Sequence, residues 1–117
     1  AEPGHVVGDA VRVAFAAYVQ GQVRGNDIFA RFGGEEFVLL LPDTAPEQAL
    51  HRADQLREGI AGLEIAASGG VTVTISASLG VAAWPPGQSL TQTLEQADAA
   101  LYDAKEGGRN QTRVWQG

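Results

Sequence analysis

Apolar and polar residues alternate strictly from Val71 to Leu79: Val71, Val73, Ile75, Ala77 and Leu79 face one way, Thr72, Thr74, Ser76 and Ser78 the other. A period of two predicts a half-buried strand, bent near Gly80. Elsewhere the period lengthens to that of a helix. Val11, Ala14, Phe15 and Tyr18 form one stripe behind Gly8-Asp9, which predicts a helix with Asp9 as its N-cap and Gly21 as its stop. Thr44-Ala45-Pro46-Glu47 reads as a capping box, and Ala49, Leu50, Ala53, Leu56 and Ile60 carry that helix to Gly59 or Gly62. Ser89-Leu90-Thr91-Gln92 repeats the pattern before Leu90, Leu94, Ala97, Leu101 and Ala104, with Gly107-Gly108 ending the helix. Two apolar runs, Ile28–Phe32 and Glu36–Leu41, flank Gly33-Gly34 and predict a hairpin whose second strand ends at Pro42. Leu63–Ala67 and the run from Val71 predict a shorter hairpin around Ser68-Gly69-Gly70, and Thr112–Trp115 adds an edge strand. Helices alternating with hairpins predict an α+β fold, helices packed on an antiparallel-rich central sheet.

Composition narrows the function. At 117 residues, with 44% hydrophobic and 19% charged positions, the chain has the make-up of one soluble globular domain with a real core. Its net charge of −6 leaves no basic field for nucleic acid or anionic lipid, so a phosphate ligand has to be held by a few placed cations. Lys105 is the sole lysine, which makes its position informative. The absence of cysteine excludes disulfides, thiolate metal sites and a cysteine nucleophile. No stretch approaches the ~20 apolar residues of a membrane span, and no signal peptide is visible.

Four places carry chemistry. At Gly33-Gly34-Glu35-Glu36 the glycines allow a ligand close to the backbone, and adjacent carboxylates offer hard oxygens suited to Mg²⁺ with its phosphates; the alternative is a solvated hairpin tip. Alternation along a strand would give Glu35 and Glu36 different faces and different jobs. Asp9 can cap a helix and, as a carboxylate, keep lone pairs for further donors. Lys105 and Arg109 complement the helix dipole at a C-terminus. Arg24 and Asp27 form an Arg-x-x-Asp, which on residue type alone reads as a turn-stabilising ion pair. His5 reads as a structural turn residue.

In order along the chain, Gly4-His5-Val6-Val7-Gly8-Asp9, Arg24-Gly25-Asn26-Asp27, Arg31-Phe32-Gly33-Gly34-Glu35-Glu36-Phe37, Ser78-Leu79-Gly80-Val81-Ala82 and Ala97–Lys105 with Gly108-Arg109-Asn110 resemble the GGDEF family, the diguanylate cyclases, in its GGEEF form. The resemblance covers nearly the whole chain. It implies a nucleotide-cyclase or ferredoxin-like fold lacking its first strand, and condensation of two GTP into cyclic di-GMP and pyrophosphate by two facing domains, a homodimer in the cytoplasm. Residue by residue, it implies Glu35 as Mg²⁺ ligand and general base, Gly34 for close approach to the phosphates, and Asp9 for the guanine. Lys105 and Arg109 would take the triphosphate, and Arg24 and Asp27 the inhibitory product site. The family's upstream metal aspartate, a lysine and the asparagine that partners Asp9 have no counterpart in these 117 residues. The expectation is therefore that this stretch alone binds cyclic di-GMP without making it. The competing reading is a non-catalytic module that binds cyclic di-GMP through Arg24 and Asp27; an adenylyl-cyclase-like enzyme leaves the Arg-x-x-Asp unexplained.

Overall fold

The computed structural model describes residues 3–31 and 37–116; for residues 3–7, 31 and 68 it describes the backbone only. The elements follow one another as α1 (Pro3–Gln22), β1 (Ile28–Arg31), β2 (Phe37–Leu40), α2 (Pro46–Ala61), β3 (Ile65–Ala66), a 3₁₀ turn (Ser68–Gly70), β4 (Thr72–Val73), β5 (Leu79–Val81), α3 (Leu90–Glu106) and β6 (Thr112–Val114). This is the α+β class that the pattern predicts. The contacts divide the chain into two compact units, Ala1–Thr44 with Gly62–Ile75 and Ala45–Ala61 with Ser76–Gly117.

In the first unit β1 and β2 pair antiparallel, Ile28 opposite Leu40 and Arg31 opposite Phe37. Residues on one face of such a pair also meet diagonally. Phe29 and Phe37 do so, their rings stacked at 5.4 Å between centroids. Phe37 lies 4.8 Å from Phe15 of α1, so one aromatic ring joins the hairpin to the helix. α1 also packs on β3, and Val19 and Ile65 are the buried apolar residues of this unit. β3 and β4 pair antiparallel around the 3₁₀ turn, closed by an Ala67 N–H donating to the Val71 carbonyl at 2.8 Å. That turn sets Gly69 at φ 79° and Gly70 at φ 76°, a region where a side chain is strained.

The second unit holds most of the core: Ala53, Leu56 and Ile60 of α2 with Thr93, Ala100 and Ala104 of α3. Ser89 caps α3 as expected, its Oγ accepting from Gln92 N at 3.1 Å. β5 and β6 run parallel, Leu79 opposite Thr112 and Val81 opposite Val114, with α3 as the connection between them. Gly80 sits where β5 meets α3. A Cβ there would lie 2.1 Å from the Ala97 carbonyl oxygen and 2.4 Å from the Leu101 nitrogen, both helix backbone. α2 packs on the same two strands and is tied to them by Asp54 and Arg57. Arg57 grips Asp54 with a two-pronged contact, Nε to Oδ1 at 2.7 Å and Nη2 to Oδ2 at 3.3 Å, while the Thr112 hydroxyl donates to Asp54 Oδ1 at 3.1 Å. The hydrogen bond from Arg57, above all, holds the Asp54 carboxyl below the usual carboxylate range; desolvation opposes this, and Thr112 and the charges of Arg57 and His51 assist it.

Several expectations need correction. Asp9 is not an N-cap: α1 begins at Pro3, a residue suited to a first helical turn, and continues through Gly8, which weakens a helix interior without ending it. Thr44 does not cap α2. Its hydroxyl donates to the Pro42 carbonyl at 2.9 Å, and the first helical bond runs from Ala49 N to the Ala45 carbonyl. The strand expected from Val71 to Leu79 is two short pieces, with residues 74–78 outside any ladder. Exposure still alternates from Val73 to Ala77, because alternation records which side chains are buried and not whether the backbone is paired. The strand at Thr112 is parallel because a helix separates it from its partner, whereas a hairpin would make it antiparallel. The described strands form three two-stranded ladders.

Two consequences are testable. Gly80→Ala forces a methyl into the α3 backbone and should destabilise by roughly 2–4 kcal/mol, toward the upper end of overpacking effects. Gly21→Ala, in the last turn of α1 with open space around it, should be neutral or stabilising by up to about 1 kcal/mol. Urea denaturation of the two variants checks both; equal stabilities would contradict the packing. Asp54, whose folded pKa is depressed, contributes stability that is present above its unfolded value of about 3.9 and lost as pH falls through the folded value. The stability gap between the native chain and Asp54→Asn should therefore be widest near neutrality and close below pH ~4. A gap that grows in acid would contradict the assignment.

Candidate nucleotide site

Asp9 stands on the exposed side of α1, seven residues into the helix. Its Oδ1 lies 3.4 Å from Arg12 Nη1, an i,i+3 pair with both side chains largely in solvent. Beside it runs an open, largely apolar groove, where Ala10, Val13 and Ala14 of α1 face Leu63 and Ile65. The small alanines keep the helix surface low along this stripe, and Asp9 is a carboxylate on the groove's wall. A flat, apolar body with hydrogen-bond donors at one edge suits those two features.

Arg24 and Asp27 meet in one tight turn, but not as a side-chain ion pair. The Asp27 carboxylate accepts from the Arg24 backbone N–H at 2.8 Å, and Asp27 N donates to the Arg24 carbonyl at 2.7 Å. Main chain and carboxylate thus close the turn between them. The Arg24 guanidinium is left exposed, without a hydrogen bond or ion pair among the described residues. About 15 residues separate Arg24 from Asp9, most of them helical at 1.5 Å rise each, so the two lie roughly 20 Å apart along α1.

Lys105 and Arg109 come together at the C-terminus of α3, one in the last turn and one just beyond it. Gly107 caps the helix, donating to the Asp103 carbonyl at 2.8 Å, and Arg109 N donates back to the Ala104 carbonyl at 3.0 Å. Arg109 and Asn110 then both take positive φ, 62° and 47°, sparsely populated for residues with side chains. Such strain persists only where the surroundings over-determine it. Here they do. Asn110 N donates to Ser78 Oγ at 3.1 Å, and Arg57 Nη1 donates to Asn110 Oδ1 at 3.1 Å. The Gln111 amide donates to the Gly107 carbonyl at 2.8 Å and the Arg109 carbonyl at 3.3 Å, while its oxygen accepts from Arg113 Nε at 2.6 Å. The Arg113 guanidinium lies over Gly107, 2.6 Å from where a Cβ would stand.

Four of the eight cationic side chains, Arg57, Lys105, Arg109 and Arg113, therefore gather at or beside this turn of an acidic chain. The helix C-terminus and the carboxylates of Asp103 and Glu106 in its last turns offset part of this field, and Lys105 and Arg109 are both exposed. Sequence reasoning found Lys105 and Arg109 but missed Asp54, Arg57, Gln111 and Arg113. The i,i+3 spacing of Asp54 and Arg57 on a helix was a legible signal for their pairing; nothing local signals that Arg57 reaches Asn110, 53 positions away.

Gly34 and Glu35, with Gly33 and Glu36, lie outside the described residues. Among the described residues no group of three or more His, Cys, Asp or Glu is arranged to hold a metal ion, and no helix is long and apolar enough to cross a membrane.

Comparison with known proteins places these features in a lineage. The family described as Diguanylate cyclase, GGDEF domain, matches residues 2–111. Probable diguanylate cyclase DgcC of Escherichia coli K12 is 40% identical over 112 residues, 95% of this chain and 30% of that protein. Response regulator PleD of Caulobacter vibrioides is 38% identical over 109 residues, 92% of this chain and 24% of that protein. The chain thus spans less than a third of the length of either relative. Among solved structures, the GGDEF domain of DgcB from Caulobacter crescentus in complex with c-di-GMP aligns with a TM-score of 0.91 at 31% identity, covering 97% of this chain and 68% of that one. Diguanylate cyclase SiaD of Pseudomonas aeruginosa, in complex with its activator SiaC, aligns at 0.89 and 37%, covering 95% of this chain and 42% of that one. The chain belongs to the GGDEF domain family of the diguanylate cyclases.

Proposed function

We propose that, within the longer protein that carries it, this domain condenses two molecules of GTP into cyclic di-GMP and pyrophosphate, and that it binds its product at Arg24 and Asp27. The observation that carries the reading is the end of α3, where Lys105 in the last helical turn and Arg109 on the anchored left-handed backbone beyond it are both exposed. A triphosphate is the ligand whose charge matches that turn.

In this reading Asp9 accepts from the N1 and N2 donors of guanine while the apolar groove beside it receives the base. Lys105 and Arg109 hold the triphosphate, and Gly34 lets the backbone approach it. Glu35 takes the proton of a 3′-hydroxyl as that oxygen attacks the α-phosphorus of the facing GTP. The new bond is 3′-O to phosphorus; the bond that breaks joins the α-phosphorus to the bridging oxygen, and pyrophosphate leaves with the electron pair. A second, identical step closes the ring, so two GTP yield one cyclic di-GMP and two pyrophosphates. Each active site holds one GTP, so two domains face each other as a homodimer. Glu35 is a hard-oxygen ligand suited to Mg²⁺, which when bound with the substrate's phosphates supplies neutralisation of their charge.

The product site follows from the turn at Arg24. Its guanidinium is exposed and able to pair with guanine O6 and N7 or with a phosphate. Asp27, beside it in the turn, supplies the carboxylate acceptor that the N1 and N2 edge of a guanine requires. A second reading rests on the same exposed Arg24 guanidinium: a non-catalytic receptor that binds cyclic di-GMP through Arg24 and Asp27.

Paired substitutions separate the readings. Arg24→Ala should weaken cyclic di-GMP binding by roughly 1.5–3 kcal/mol in calorimetry and leave the thermal midpoint unchanged, because the side chain is exposed. In the protein that carries the domain, Glu35→Ala should abolish synthesis of cyclic di-GMP from GTP without altering Arg24-dependent binding. Unchanged affinity in Arg24→Ala would sink the product site. Product binding with no synthesis even before substitution would establish the receptor reading in place of the enzyme.

A further inference from the structure

We propose that Arg57, locked in place by Asp54, is a positioning residue for phosphate binding: it holds the turn that presents Arg109, beyond Lys105 at the end of α3, without touching the ligand itself. The proposal rests on the reading of that turn as the triphosphate site. Its basis is a chain of contacts inside the second unit.

Arg57 divides its donors between two main tasks, with Nη2 also lying 3.6 Å from Glu58 Oε1. Nε and Nη2 engage the two oxygens of Asp54 at 2.7 and 3.3 Å, which fixes the plane of the guanidinium. The remaining arm, Nη1, reaches Asn110 at two acceptors, Oδ1 at 3.1 Å and the main-chain carbonyl at 3.4 Å. Asp54 is itself held by the Thr112 hydroxyl on β6 at 3.1 Å. Helix α2 and strand β6 together therefore aim one guanidinium at one residue of the turn. That hold bears on the residue beside it: Asn110 at φ 47° is of a type that tolerates left-handed backbone, whereas its neighbour Arg109 at φ 62° is strained there. Ser78 Oγ takes the Asn110 N–H, so Asn110 is gripped at its amide, its carbonyl and its side chain from elements outside the turn. If the grip from Arg57 is released, the left-handed pair can relax toward ordinary φ values, and the direction in which Arg109 leaves the backbone changes with it.

Lysine cannot do this work. A guanidinium presents five donors in a rigid plane, enough to fork onto a carboxylate and still reach beyond it, whereas an ammonium is a point charge on a flexible stem. A role through charge alone would survive Arg57→Lys; a positioning role would not.

The test measures dissociation constants of the chain for Mg·GTP, and for inorganic pyrophosphate as a probe of the phosphate cluster, at fixed ionic strength. It compares the unaltered chain, Arg57→Gln, Arg57→Lys and Arg109→Ala, with amide NMR reporting on Asn110. Both Arg57 variants should bind GTP and pyrophosphate roughly tenfold more weakly, the scale of a misplaced binding group, and the Asn110 amide should shift in the unliganded state. Should Arg57→Gln fail to fold, Arg57→Lys, which keeps the stem and the charge, decides the matter alone. Native affinity in Arg57→Lys overturns the positioning role, whatever happens to the thermal midpoint. If Arg109→Ala also binds GTP like the unaltered chain, or the unaltered chain binds none, the phosphate site itself is misassigned. Weakening in Arg109→Ala with native affinity in Arg57→Lys removes the present inference and leaves the site standing.

Discussion

The close approach of β5 to α3 at Gly80 is the constraint on which the cationic end of this domain depends. A strand can lie against a helix backbone at that distance only where no Cβ intervenes. The contact fixes how α3 runs past the parallel pair β5–β6, and hence where its C-terminus delivers Lys105 and Arg109. The other glycine of the arrangement, Gly107, works by the same rule: the Arg113 guanidinium occupies the space that a side chain would fill. Two absent side chains thus set the spacing, and hydrogen bonds from α2 and Ser78 then set the local conformation.

The division of labour between these two kinds of force is instructive. Apolar burial of Ala53, Leu56, Ile60, Ala100 and Ala104 assembles the unit without specifying any direction for a charged group. Direction comes from the polar ties. The fork of Arg57 on Asp54 is partly exposed, 18% at Arg57 and 42% at Asp54, and an ion pair open to solvent contributes modestly to stability, yet it orients a backbone that would otherwise relax. A site for a highly charged ligand in a chain of net charge −6 needs that order, because the global field opposes the ligand and only local placement of cations favours it.

Much of this was legible in the sequence wherever the determinant is local. The three helices followed from periodicity, and the cap at Ser89 from its own residue type. The hairpin pairing of Ile28–Arg31 with Phe37–Leu40 followed from two apolar runs about two glycines, although its connecting residues 32–36 lie outside those described. The errors arose where a local signal had more than one outcome. Gly8-Asp9 resembles a helix start, but Pro3 begins the helix earlier and a glycine inside it is only a weak opponent. Thr44 lies one residue before the N-cap position, and its hydroxyl donates backwards to the Pro42 carbonyl. The alternation from Val71 onward reported burial correctly and hydrogen bonding incorrectly. At the candidate site, residue types pointed to Asp9, Arg24, Asp27, Lys105 and Arg109, while the side chains that hold the last of these in place come from far along the chain. No periodicity encodes a contact between Arg57 and Asn110; it exists only once α2 and the turn after α3 are packed in one unit.

The central claim is that the turn following α3 grips the phosphates of a nucleotide. Phosphorus-31 NMR of GTP, titrated with the chain in the presence of Mg²⁺, tests it most directly. The account predicts that the β- and γ-phosphate resonances shift and broaden, and that the change is lost when Lys105 and Arg109 are both replaced by alanine. Phosphate resonances that respond identically to the native and doubly substituted chains, or that do not respond at all, would contradict it.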